Sequence, residues 1–112
     1  MQDVFAQIDE LYDLLMGELD NCRKAGCQLA ENEAQYRMEL SIAELHERER
    51  GTPVTIINDI CRGDPRIADL RRARDCSKVL YEASREAVNV YKLRLRLLNE
   101  QASRVWFSGN TR

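Results

Sequence analysis

Glycine and proline are scarce, with five Gly and two Pro in 112 residues. A chain of many short strands needs a turn signal every ten residues or so, so an all-β sandwich is excluded, and so is a collagen-like repeat. Long apolar runs are also missing. No stretch approaches the roughly 20 residues that span a bilayer. Asp3, Asp9, Glu10 and Asp13 interrupt the start of the chain, where a secretory signal would be basic and then apolar. These features predict a cytosolic protein.

Catalytic and metal-binding residue types are equally thin. His46 is the only histidine and sits among Glu44, Glu47, Arg48 and Glu49, which describes an exposed helix end better than a Ser-His-Asp arrangement. Cys22, Cys27, Cys61 and Cys76 contain no CxxC pair, and Cys22 and Cys27 point to different faces of a helix, so a zinc site is not expected. A cytosolic chain keeps such thiols reduced, although Cys22 could meet its own copy in a dimer. The glycines are too scattered for a phosphate loop. The reading is a non-enzymatic protein without cofactor or metal.

What the sequence does contain is 44% hydrophobic and 32% charged residues, the balance of a soluble, foldable chain. Ile8, Leu15, Cys22, Leu29, Tyr36 and Ala43 recur at seven-residue intervals, and Leu11, Tyr12, Leu19, Ala25 and Leu40 fill the offsets between them. Such spacing predicts a long amphipathic helix over residues 3–48. Gly17 and Gly26 inside it mark a kink or the close approach of a partner helix. Gly51-Thr52-Pro53 ends that helix and begins another, with Gly51 left-handed, Thr52 as cap and Pro53 in the first turn. A short helix over 53–61 follows, its face formed by Val54, Ile57 and Ile60/Cys61, and Arg62-Gly63 stops it. Asp64-Pro65 opens a third helix over 65–106, whose stripe runs Ala73, Cys76, Leu80, Ala83, Ala87, Val90 and then drifts to Tyr91, Leu95, Leu98, Ala102 and Val105. The expected fold is all-α: one domain over 1–107, a long coiled-coil-like antiparallel hairpin with a short helix at the bend. Residues 108–112 form a flexible tail. A hairpin buries only one stripe per helix, so self-association as a homodimeric helical bundle is expected. Trp106-Phe107 would clasp the first helix near Val4 and Phe5, or form a partner-binding tip.

Charge divides at Arg50. Residues 1–50 carry 5 basic and 12 acidic groups, net −7, and residues 51–112 carry 12 basic and 7 acidic, net +5. One explanation is intramolecular, an acidic helix selecting its register against a basic one. The other is a surface for a partner. Arg62, Arg66, Arg71, Arg72, Arg74 and Lys78 make the candidate basic patch, with Lys92, Arg94 and Arg96 further along. Asp9, Glu10, Asp13, Glu18 and Asp20 make the candidate acidic face.

The bend sequence from Gly51 to Gly63, the later run Val90-Tyr-Lys-Leu-Arg-Leu-Arg-Leu-Leu98 and a terminal Trp resemble small helical proteins carried by bacteriophages and prophages of Gram-positive bacteria. The likeness spans about residues 33–107. It implies a phage context, a host-cytosol setting and a non-enzymatic accessory role, and it transfers no functional residues. Two functions are compatible with it. One is an interaction protein that docks on a host or phage protein, such as an inhibitor of a bacterial defence system like an RNA-guided nuclease, its carboxylate face occupying a basic channel. The other is a nucleic-acid-binding accessory of phage replication or recombination that uses the basic second half.

Overall fold

The computed structural model describes residues 3–110 and is all-helical over them: α1 spans Val4–Glu49, α2 Val54–Arg62 and α3 Pro65–Asn110. No helix is long and apolar enough to cross a membrane. The fold is the expected antiparallel hairpin of two long helices with a short helix at the bend. Within the single domain expected over 1–107, packing divides into two compact units. One joins the chain up to Lys24 with the chain from Glu82 onward, and the other is Ala25–Tyr81. α3 continues to Asn110, so Ser108 and Gly109 of the expected tail are helical, while Thr111 and Arg112 lie outside the described residues.

The helix ends follow local chemistry. Asp3 caps α1 by accepting the Phe5 N–H at 2.7 Å, and Asp64 caps α3 by accepting the Arg66 N–H at 2.8 Å, with Pro65 as its first residue. At the C-terminus of α1, Gly51 has φ +81°, its N–H donates to the Arg48 carbonyl, and the Thr52 N–H donates to the Glu47 carbonyl. These two bonds form a Schellman motif, which satisfies carbonyls that the last turn leaves open. Thr52 does not cap α2 as the sequence suggested. Its hydroxyl instead donates to Glu47 Oε2 at 2.6 Å, tightening the Schellman turn, and Pro53 takes the cap position without a side-chain bond. α2 buries Ile57 and Cys61, one turn apart, and leaves Val54 outside the packed face, 77% exposed.

The packed positions of α1 follow the predicted ruler. Ile8, Leu15, Cys22, Leu29, Tyr36 and Ala43 are all buried or half-buried, and the alternate series is Leu11, Glu18, Ala25, Asn32 and Glu39. Tyr12 and Leu19, assigned to the seam from sequence, are exposed. No break occurs at Gly26. A Cβ there would lie 3.1 Å from Tyr81 Cε1, so this glycine serves the close approach of α3, whereas a Cβ on Gly17 would meet nothing within 4 Å.

The seam of α3 lies one residue beyond the predicted stripe at most positions up to Val90 and coincides with it at Tyr91, Leu95, Leu98 and Ala102, while Val105, placed in the stripe, is exposed. The covered positions Ile67, Leu70, Arg74, Ser77, Tyr81, Ser84, Val88, Tyr91, Leu95, Leu98 and Ala102 alternate strictly by three and four, and Ala87, expected in the stripe, is half-buried beside Val88. Cys76, Leu80, Ala83 and Val90 are exposed, and the residue after each is covered instead. No drift is needed. A one-residue shift turns the helix by about 100°, and the cause lies across the interface. Asn32 Nδ2 donates to Ser77 Oγ at 2.5 Å and lies 3.4 Å from the Ala73 carbonyl. Ser84 Oγ donates to Glu18 Oε1 at 2.7 Å. The Arg74 guanidinium sits 4.7 Å from the centre of the Tyr36 ring and 3.4 Å from Glu33 Oε2. Counting apolar residues selects a more hydrophobic face, but that face offers no partner for the polar groups of α1.

Two stability predictions follow from this packing. Gly17→Ala should raise stability by about 0.5–1 kcal/mol, the helix-propensity gain, and Gly26→Ala should gain less because the Tyr81 ring must yield; urea unfolding of both variants checks the difference. Asn32→Leu alone should cost about 1–2 kcal/mol by stranding Ser77, whereas Asn32→Leu with Ser77→Ala should recover most of that loss. A double-mutant cycle measures the recovery.

Candidate interaction surfaces

The five acidic candidates divide. Asp9, Asp13 and Asp20 fall within about 40° of one another around α1, as 100° per residue dictates, and all three are exposed. Glu18 lies about half a turn away on the seam, where it accepts the Ser84 hydroxyl. Its position seven residues after Leu11 and seven before Ala25 was the available sequence signal for that inward placement. Asp20 is engaged by Lys24 at 2.9 Å and Arg23 at 3.0 Å, and the hydrogen bonds from Lys24 and then Arg23 hold its carboxyl below the usual range. Asp9 and Asp13 have no partner among the described residues, and Glu10 is exposed beside them.

Sequence reasoning missed what lies next to those carboxylates. Tyr12, Met16 and Leu19 are 52%, 48% and 39% exposed and form a second apolar row at 4–3 spacing, about 90° around α1 from the seam. Two of these residues had been placed in the core. α1 therefore carries an outward strip that is both apolar and acidic.

The basic candidates also divide. Arg66 bonds Glu39 across to α1 at 2.5 Å, Arg72 pairs with Asp69 on its own helix, and Arg74 contacts Glu33, Asp75 and Tyr36. Glu33 also accepts Arg37 at 2.6 Å, and that bond first of all holds its carboxyl below the ordinary value. Arg62, Arg71 and Lys78 are exposed and have no partner among the described residues. Half of the patch is thus committed within the chain. Lys92, Arg94 and Arg96 are exposed farther along α3.

An open cleft of about 500 Å³ lies where α1, α2 and the start of α3 meet, and His46, Glu47, Cys61, Asp64 and Arg66 line it. His46 is exposed, as expected of a helix end. Burial, and then the charges of Glu44, Glu47 and Asp64, push the Cys61 thiol up. A thiol held protonated is a poor nucleophile and a poor metal ligand. All four cysteines are free, with Cys27 and Cys76 exposed and Cys22 half-buried, and no cluster able to hold a metal ion occurs among the described residues.

The aromatic end is open. Phe5, Ile8, Ala102, Trp106 and Phe107 border one groove, so the C-terminal pair does return to the start of α1. Trp106 and Phe107 nevertheless stay 64% and 68% exposed, which makes them a rim to the groove and not a closed clasp.

Thiol accessibility gives a direct check of these placements. In the folded chain, Cys27 and Cys76 should react with iodoacetamide at neutral pH at least about tenfold faster than Cys61, as thiolate character and exposure dictate, and mass spectrometry of a time course reads the order. Comparison with protein-family models, with curated proteins and with solved structures finds no match for this chain.

Proposed function

We propose that this chain is a non-enzymatic interaction protein whose α1 docks on a basic protein surface. The observation that carries the reading is the outward strip of α1, where exposed Asp9 and Asp13 stand beside exposed Tyr12, Met16 and Leu19. Carboxylates one turn apart steer a helix toward a positively charged groove, and the adjacent apolar side chains supply contact area that charge alone lacks. A nucleic-acid channel of a nuclease has that character. The resemblance to phage accessory proteins makes inhibition of a bacterial defence nuclease, in the host cytosol, the setting we favour. The unpaired cations Arg62, Arg71 and Lys78 are the residues the competing nucleic-acid reading would need.

The test is a titration of the full chain against a purified RNA-guided nuclease, with and without its nucleic-acid substrate. Binding should compete with nucleic acid, fall steeply with salt, and weaken by about tenfold or more in Asp9→Lys/Asp13→Lys, given about 1 kcal/mol for each close charge pair lost. Binding that the reversal leaves unchanged overturns the reading. Salt-sensitive binding to DNA alone that Arg71→Glu/Lys78→Glu abolishes would instead favour the nucleic-acid alternative.

A further inference from the structure

The outer face of α3 carries a second apolar row that the interaction reading does not use. Val90, Leu93 and Leu97 are 52%, 47% and 53% exposed, at 3–4 spacing. They lie about 150° around α3 from the residues that pack on α1. The row is bracketed by charge. Glu86 stands one turn before Val90 and Arg104 two turns after Leu97, both on the same face within about 40°, both exposed, and neither with a partner among the described residues.

We infer that this face binds a second copy of the chain, α3 against α3, antiparallel about a two-fold axis near residue 95. The order of the row is the argument. Read from either end of an antiparallel pair it presents Glu86 first and Arg104 last, with Glu100 at its edge between Leu97 and Arg104, so Glu86 of each copy lies toward Arg104 of the other. The midpoint of Glu86 and Arg104 is residue 95, and an axis there also sets Leu93 of each copy against Leu97 of the other, so the ionic pairs and this apolar pair form in one register. Parallel pairing sets Glu on Glu and Arg on Arg. Two-fold contact also closes, because each copy uses the same patch. The outward strip of α1 has no such symmetry, since turned on itself it sets acid against acid.

Two charges oppose the pairing, Glu100 and Arg94. Glu100, exposed about 20° around α3 from Leu93, lies toward Val90 of the other copy. Arg94 lies at the edge of the row beside the axis, where it meets its own copy.

Sedimentation of the full chain across a concentration series tests the inference. The wild type should reach a dimer and no larger species. Leu93→Glu/Leu97→Glu should sediment as a monomer with unchanged helical circular dichroism, because both residues are solvent-facing in the folded chain. Glu86→Arg alone, or Arg104→Glu alone, should weaken the dimer by about tenfold, since two symmetric pairs are lost together. The combined E86R/R104E variant should restore it, and Arg94→Gln should tighten it. A monomer at every concentration, a growing series of larger species, a dimer indifferent to Leu93→Glu/Leu97→Glu, or a combined swap that fails to rescue would each overturn the proposal. The swap leaves α1 untouched, so loss of the dimer with nuclease binding intact, or the reverse, separates this inference from the functional reading.

Discussion

A polar group shut away from water without a partner costs about 1–3 kcal/mol, while the hydrogen bond it makes contributes only about 1. Glu18, Asn32 and Glu39 occupy one position of the α1 heptad, where apolar side chains would serve packing better. Each therefore constrains what α3 must place opposite. Ser84 answers Glu18, Ser77 answers Asn32, and Arg66 answers Glu39, while Tyr81 covers the gap above Gly26. Sliding α3 by one heptad would keep its stripe facing α1 but strand these groups. Packing chooses the face and the polar pairs choose the register, as buried polar residues do in coiled coils.

The same constraint separates what the sequence makes legible from what it does not. The α1 seam can be read directly because Ile8, Leu15, Cys22, Leu29, Tyr36 and Ala43 are apolar or aromatic at every heptad step. The bend is legible because Gly51 and Asp64-Pro65 each perform one local task that few other residues can. The α3 seam is not legible in isolation. Arg74 and Ser77 look like surface residues until Glu33 and Asn32 are known to face them, and Ser84, small enough to admit a neighbouring helix, shows its partner only once Glu18 faces it, so these placements are a property of pairs. Thr52 was misassigned for a related reason. A hydroxyl beside a proline reads as a cap, but the Glu47 carboxylate five residues back is a stronger, charged acceptor.

Placement of the surface charges was legible only in part. The first half of the chain announces five carboxylates but does not say which one the seam withdraws. Tyr12 and Leu19 were hidden by the opposite error, since an apolar residue near a heptad position is naturally assigned to the core. Their exposure, together with that of Met16, turns an acidic face into an acidic and apolar one, and the candidate partner surface changes accordingly.

The separation of −7 from +5 between the two halves invites the idea that charge holds the hairpin shut. The contacts argue otherwise. Asp20 pairs with Arg23 and Lys24, Glu33 with Arg37, and Asp69 with Arg72, all within single helices. Such exposed pairs are screened by solvent and, lying within one helix, cannot orient one helix against another. Glu39–Arg66 and Glu33–Arg74 do cross from α1 to α3, but they flank a register that Asn32–Ser77 already specifies. The charges that make none of these contacts, Asp9, Asp13, Arg62, Arg71 and Lys78 among them, are left for whatever approaches from outside, and their arrangement sorts those approaches. A row with opposite charges at its two ends, as on α3, is its own antiparallel complement. A row lined by one sign, as on α1, repels its copy and requires a partner of the other sign.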